Sequence, residues 1–194
     1  QFKEIGIVRL LLEQRVRFSA IGLVDIARFK WYNDTLGHGL GDRVLEQVAT
    51  LLREHARAQD VLAKEVSSSR RPDLHARFGG DEFCFLTPDL AGPAEARVIA
   101  ERFRRSVEGY DWERLDGRLA QQPVRADVGV VCLRMGPVAD RRFISRRLAL
   151  RLLETADQLM YNAKAEGSIR AHVAAMRVEN GELIADEQAA RQAS

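Results

Sequence analysis

Ten residues, Arg77-Phe78-Gly79-Gly80-Asp81-Glu82-Phe83-Cys84-Phe85-Leu86, most narrowly limit what this chain can fold into. Apolar runs at 74–78 and 83–86 flank the tetrapeptide Gly-Gly-Asp-Glu. Adjacent glycines supply the positive φ of a tight turn, so the stretch is predicted to be a β-hairpin with two carboxylates at its tip. Acids at a turn are most often simply solvated. Here, however, a further acid, Asp25, ends the apolar run Ala20-Ile21-Gly22-Leu23-Val24. A buried strand ending in Asp, beside a hairpin tipped with Asp-Glu, offers the oxygen donors a divalent metal needs for phosphate chemistry.

The surrounding sequence suits a single domain. At 194 residues and 46% hydrophobic it can bury a full core. Thirty basic against 28 acidic side chains leave a net charge of +2, which argues against a nucleic-acid coat or a membrane-surface protein. No apolar stretch approaches the ~20 residues that span a bilayer. The polar opening Gln1-Phe2-Lys3-Glu4 does not resemble a signal peptide, and a start at Gln suggests a piece of a longer chain. Cys84 and Cys132 lie in apolar runs and are expected to be reduced core residues of a cytoplasmic protein. The four histidines show no zinc-ligand spacing.

Hydrophobic periodicity predicts a helix over 3–16, a strand buried on both faces over 17–26, and a short helix or irregular turn over 27–36. Three glycines in residues 37–41 should break the chain, with an amphipathic helix opening at Asp42. Residues 59–72 read as an exposed connection. Beyond the hairpin come a helix over 93–107 with Pro in its first turn, a loop over 110–122 and a strand over 124–133. A long helix over 141–166 is then ended by Gly167, followed by a closing strand over 169–173. Asn180-Gly181 is a hairpin signal in the tail. The order predicts an α+β domain over 1–173 on a split βαβ plan, a mainly antiparallel sheet with helices on one face. The tail, 174–194, is expected to form a small hairpin and then disorder.

Four stretches together resemble the GGDEF domain of diguanylate cyclases, which join two GTP molecules into cyclic di-GMP. They are Val24-Asp25-Ile26-Ala27-Arg28-Phe29-Lys30 with Asn33-Asp34; Gly37-His38 with Gly41-Asp42; Arg77 to Phe83; and Ala156-Asp157 to Tyr161 with Ala163-Lys164 and Gly167. The likeness covers roughly residues 15–173. It implies a palm-like, nucleotidyl cyclase type of fold and a Mg²⁺ (or Mn²⁺) cofactor held by Asp25, the Ile26 carbonyl and Asp81, with Glu82 assisting. Asp81 would receive the proton of the attacking 3′-hydroxyl. Asn33 and Asp42 would read guanine, whose N1 and N2 donors suit a carboxylate and whose O6 suits an amide. Phe29, Lys30, His38, Gly79, Gly80 and Lys164 would complete the GTP site. The resemblance further implies a homodimer, since each domain would present one GTP, and an upstream sensory domain. Partners are thus GTP and cyclic di-GMP, with no nucleic acid and no direct membrane contact.

Arg70-Arg71-Pro72-Asp73 matches the family's Arg-x-x-Asp inhibitory product site, where Arg pairs with phosphate or guanine in a bidentate fork. Arg57-Ala58-Gln59-Asp60 carries the same pattern, but distance from the hairpin favours Arg70 and Asp73. Three departures stand out. Ala27 replaces a common acid, Ser168 stands where the family places an Arg after Gly167, and the family's opening Asp-x-Leu-Thr-Gly-Leu is missing. The last two motivate an alternative, a weakly active or inactive module that senses cyclic di-GMP or GTP.

Overall fold

The computed structural model describes residues 18–55, 61–63, 80–134, 146–179 and 181–191. The helix expected over 3–16, the first arm of the hairpin, and Arg70, Asp73 and Gly79 lie outside them. Described elements are β1 (Phe18–Ile26), α1 (Phe29–Leu36), α2 (His38–Glu54), β2 (Val61–Ala63), β3 (Glu82–Leu90) and α3 (Pro93–Glu108). After two short 3-10 turns (Trp112–Arg114 and Gly117–Leu119) follow β4 (Ala126–Arg134), α4 (Arg146–Ala165), β5 (His172–Glu179), β6 (Glu182–Ala185) and α5 (Glu187–Arg191). The sheet runs β2-β3-β1-β4-β5-β6. Every pairing is antiparallel except β4 with β5, which needs α4 as its crossover.

All nine residues of β1 are buried, as befits a strand paired on both edges and covered on both faces. Phe18, Ala20, Val24 and Ile26 join the core under α1, α2 and α3, whereas Ile21 and Leu23 join a second core under α4. The helices therefore cover both faces of the sheet, not one. α1, α2, α3 and the short α5 contribute to one layer, and among the described residues the crossover helix forms the other. It approaches very closely at Gly129 of β4, where a Cβ would fall 2.2 Å from both the Ala156 carbonyl oxygen and the Met160 amide nitrogen. Its C-terminus is closed by two bonds, from Ser168 N–H to the Ala163 carbonyl and from Gly167 N–H to the Lys164 carbonyl, both 3.0 Å. With Gly167 at φ 79, this is a Schellman cap.

Two further boundaries differ from expectation. Of the three glycines in 37–41 only Gly37 breaks the chain, at φ 93, and α2 already begins at His38. Gly39 and Gly41 occupy its first turn, where helical backbone is adopted without strain. The closing strand lies at 172–179, not 169–173, and continues through the expected hairpin into β6. Residues 174–179 and 182–185 thus belong to the sheet. Beyond them Glu187–Arg191 form a helix where disorder was expected, capped by Asp186, whose Oδ1 accepts the Ala189 N–H at 3.1 Å.

Candidate active site

Asp25 is the penultimate residue of β1, facing α4. Its direct partners in the neighbouring strands are Glu82 of β3 and Asp127 of β4. Directly opposed residues share a face of the sheet, with Cβ atoms roughly 5 Å apart. Three carboxylates therefore lie in a row across three strands, a like-charge arrangement that opposes folding unless a cation relieves it. Lys164, from the last turn of α4, places Nζ 2.9 Å from Asp25 Oδ2. The close approach at Gly129, about one helical turn earlier, sets the height at which Lys164 meets the row.

Asp25 is 6% exposed. Burial pushes its pKa up to about 6; the Lys164 ammonium pulls the other way, and the Asp81 and Asp127 charges add to the rise. The hydrogen bond to Asp25 raises Lys164 in turn. Asp127 is fully buried. Burial raises it as well, opposed by a hydrogen bond from Ser168 and by Lys164. Asp81 sits just ahead of β3, and its carbonyl accepts the Ile26 N–H at 3.4 Å. Asp25, Glu82 and Lys164 open onto a cleft of about 370 Å³, walled along α4 by Asp157, Gln158, Met160 and Tyr161.

A second group lies on the helix pair of the other face. Asn33 of α1 packs its amide over the first turn of α2, where a Cβ on Gly41 would fall 1.9 Å from Asn33 Oδ1. That glycine lets Asn33 stand beside the exposed Asp42. The two helices are braced by the 3-10 segment, with Arg43 donating to the Leu115 carbonyl and Tyr32 Oη to the Pro123 carbonyl at 3.3 Å. His38 and Lys30 are exposed on this pair. Phe29 is not; its ring is in the core, leaving only its main chain to face a ligand. Ala27 and Arg28 alone link the acidic group to the helix pair, and Arg28 turns the chain in the left-handed region at φ 61.

The expected site residues thus fall into two clusters joined by a tight turn. Among the described residues no three His, Cys, Asp or Glu side chains converge as a closed metal cage. Mg²⁺ does not require one, since it keeps several waters and takes one or two protein carboxylates. The available donors are carboxylate and carbonyl oxygens, hard ligands of the kind such an ion takes. Sequence reasoning passed over Asp127. Its signal was present, an acid at the start of a buried apolar strand, the pattern that singled out Asp25 at a strand end.

The family model for "Diguanylate cyclase, GGDEF domain" matches residues 8–170. Response regulator PleD of Caulobacter vibrioides is 36% identical over 146 residues, covering 75% of this chain and 27% of that protein. Diguanylate cyclase A of Treponema denticola is 31% identical over 155 residues, 78% of this chain and 34% of that protein. The chain therefore spans about a third or less of these relatives. Among solved structures, the GGDEF domain of PA1120 (YfiN or TpbB) from Pseudomonas aeruginosa superposes with a TM-score of 0.63 at 28% identity, covering 92% of this chain and 95% of that one. The GGDEF domain of DgcB from Caulobacter crescentus, solved with c-di-GMP, gives 0.60 at 22% identity over 90% of this chain and 86% of that one, a likeness of fold. Among the described residues no helix is long and apolar enough to cross a membrane.

Proposed function

Because the chain belongs to the GGDEF family of diguanylate cyclases, we propose that it condenses two GTP into cyclic di-GMP and two pyrophosphates. One observation carries this reading. Asp25 and Asp127 lie within the reach of Lys164 at the mouth of a cleft that Glu82 also lines, beside a helix pair that presents an amide and a carboxylate to a base.

In each half-reaction the ribose 3′-oxygen forms a bond to an α-phosphorus, and the bond from that phosphorus to the bridging oxygen breaks. Pyrophosphate leaves with the electron pair, and the hydroxyl proton passes to the Asp81 carboxylate. Asp25, the Ile26 carbonyl, Asp81 and Glu82 would hold Mg²⁺ or Mn²⁺. A bound divalent cation supplies charge neutralisation at the phosphates and a lower pKa for the hydroxyl. Lys164 and Lys30 meet the triphosphate. Asp42 accepts from guanine N1 and N2 while the Asn33 amide donates to O6; adenine would leave Asp42 unpaired, which gives the selectivity. Gly79 and Gly80 let the nucleotide lie against the backbone, and His38 and the Phe29 main chain close the site.

Each domain would offer one GTP, so the reaction needs two copies facing one another, driven together by an upstream sensory region. Arg70 and Asp73 would bind product and inhibit. The whole assembly would work in the cytoplasm. Incubation with GTP and Mg²⁺, with cyclic di-GMP and pyrophosphate followed by chromatography, tests the reading. Synthesis should fall at least ~10²-fold in Asp81→Ala, the size of a lost proton acceptor. Retained turnover would remove Asp81 from the mechanism. Binding of cyclic di-GMP without synthesis, even when a fused partner forces dimers, would favour the sensor reading.

A further inference from the structure

The Asp127 carboxylate accepts a hydrogen bond from Ser168 Oγ at 2.5 Å, and both residues are buried. Asp127 Oδ2 is enclosed without a hydrogen-bond partner among the described residues. Ser168 is the second of two consecutive left-handed residues, at φ 62 after Gly167 at φ 79. Such a conformation is unfavourable for a residue with a Cβ and persists only where surroundings enforce it. Here they do so at three points. The Ser168 amide closes the helix cap, its hydroxyl reaches Asp127, and its carbonyl accepts from Arg104 at 3.3 Å. Arg104 is itself fixed by Glu101 at 2.9 Å and Glu108 at 2.8 Å.

Lys164 lies one turn before Ser168, and Asp127 is the β4 partner of Asp25. The end of α4 is thus fastened to the sheet twice, by Lys164 to Asp25 on β1 and by Ser168 to Asp127 on β4. These fastenings are not equivalent. Lys164 is half exposed and its partner Asp25 is the carboxylate a cation would claim. The Ser168–Asp127 bond is sealed from water.

We propose that Asp127 is a positioning residue which, through Ser168, holds the α4 terminus so that Lys164 stays over the acidic row when Asp25 is engaged elsewhere. Lys164 is then free to meet a triphosphate oxygen without having to be repositioned. The triphosphate half of this inference rests on the cyclase reading; the fastening does not.

Two readouts on the full chain separate them. In the first, Lys164 acylation by a small amine-reactive ester is followed by mass spectrometry without nucleotide. Asp127→Ala and Ser168→Ala should label about three- to tenfold faster, the factor one lost hydrogen bond represents. Asp127→Asn, whose amide oxygen accepts the same bond, should return to the wild-type rate. Unchanged labelling in Ser168→Ala, or Asp127→Asn behaving like Asp127→Ala, overturns the fastening. Should Asp127→Ala fail to fold, Ser168→Ala and Asp127→Asn decide alone.

In the second, calorimetry measures binding of a non-cleavable α,β-methylene GTP analogue with Mg²⁺. Asp127→Ala should weaken it by a similar factor, and little further once Lys164→Met is present, because the two act through one contact. Independent, fully additive losses would show a merely structural carboxylate. A wild type that binds no analogue defeats the cyclase reading while the labelling result still stands.

Discussion

The two ends of β4 each hold a buried aspartate against a basic side chain, yet they are built for different purposes. At the Arg134 end, Asp186 is 1% exposed, lies 2.5 Å from Arg134 Nε, and caps α5 through the Ala189 amide. At the Asp127 end, roughly 23 Å away along the strand, Asp25 faces a half-exposed lysine and stands in a row of three acids. The clefts are of similar size, about 420 and 370 Å³, so volume does not tell them apart. Charge accounting does. Asp186 is charge-paired with one guanidinium and accepts one backbone amide at its other oxygen, contacts that serve the fold. The acidic row sets like charges side by side on one face, an arrangement a fold tolerates where a ligand will relieve it.

The largest effect that could break this contrast is on turnover. Asp25→Ala should lower cyclic di-GMP synthesis by about 10³-fold, whereas Asp186→Ala should leave the rate per folded molecule within about twofold. Equal losses, measured by product chromatography, would mean that the far end is not merely structural. Next comes Gly129→Ala, whose Cβ meets the α4 backbone at 2.2 Å. Backbone cannot swing aside, so denaturant unfolding should show a loss of about 1–3 kcal/mol. KM for GTP should rise, since Lys164 rides on the displaced helix. Asp186→Ala should cost about 1–2 kcal/mol for its lost amide and guanidinium partners, read from the same unfolding curves.

The smallest effect is a pH dependence. Asp25 has its pKa raised from 3.8 to about 6 in the fold. A raised carboxyl favours the folded state below the unfolded value and loses that advantage as pH climbs through the folded one. Without divalent cation, the melting temperature of wild type relative to Asp25→Asn should therefore decline between pH 4 and pH 6, then level. Mg²⁺ should recover more of it at pH 7 than at pH 4.5. A flat difference would mean that Asp25 is not strained by its surroundings.

Much of this was legible in the residues. Alternation and apolar density found β1, β3, α3 and β4, because those elements bury one or both faces and little else competes. Asp25 was found because an acid ends an apolar run. Asp127 was overlooked although it opens one, since nothing local says that β4 pairs with β1 at that register. The start of α2 is hidden for a related reason: Gly41 reads as a breaker, but it serves the Asn33 amide packed above it. Helices on both faces could not be foreseen either, because α4 is amphipathic in the same way as the helices of the other layer. Only the parallel step to β5 sends it across the sheet.

That parallel step also sets where the protein can be shortened. Gly129–Arg134 hydrogen-bond to His172–Arg177, all beyond residue 170, where the family match stops. A chain trimmed to the recognisable family segment would keep every proposed catalytic residue. It would also bare the edge of β4, whose Val130, Val131, Cys132 and Leu133 are wholly enclosed in the intact protein. A flat, apolar, unpaired strand is a template for other chains. The last hairpin therefore shields the edge of β4, a service rendered by residues with no part in the proposed chemistry.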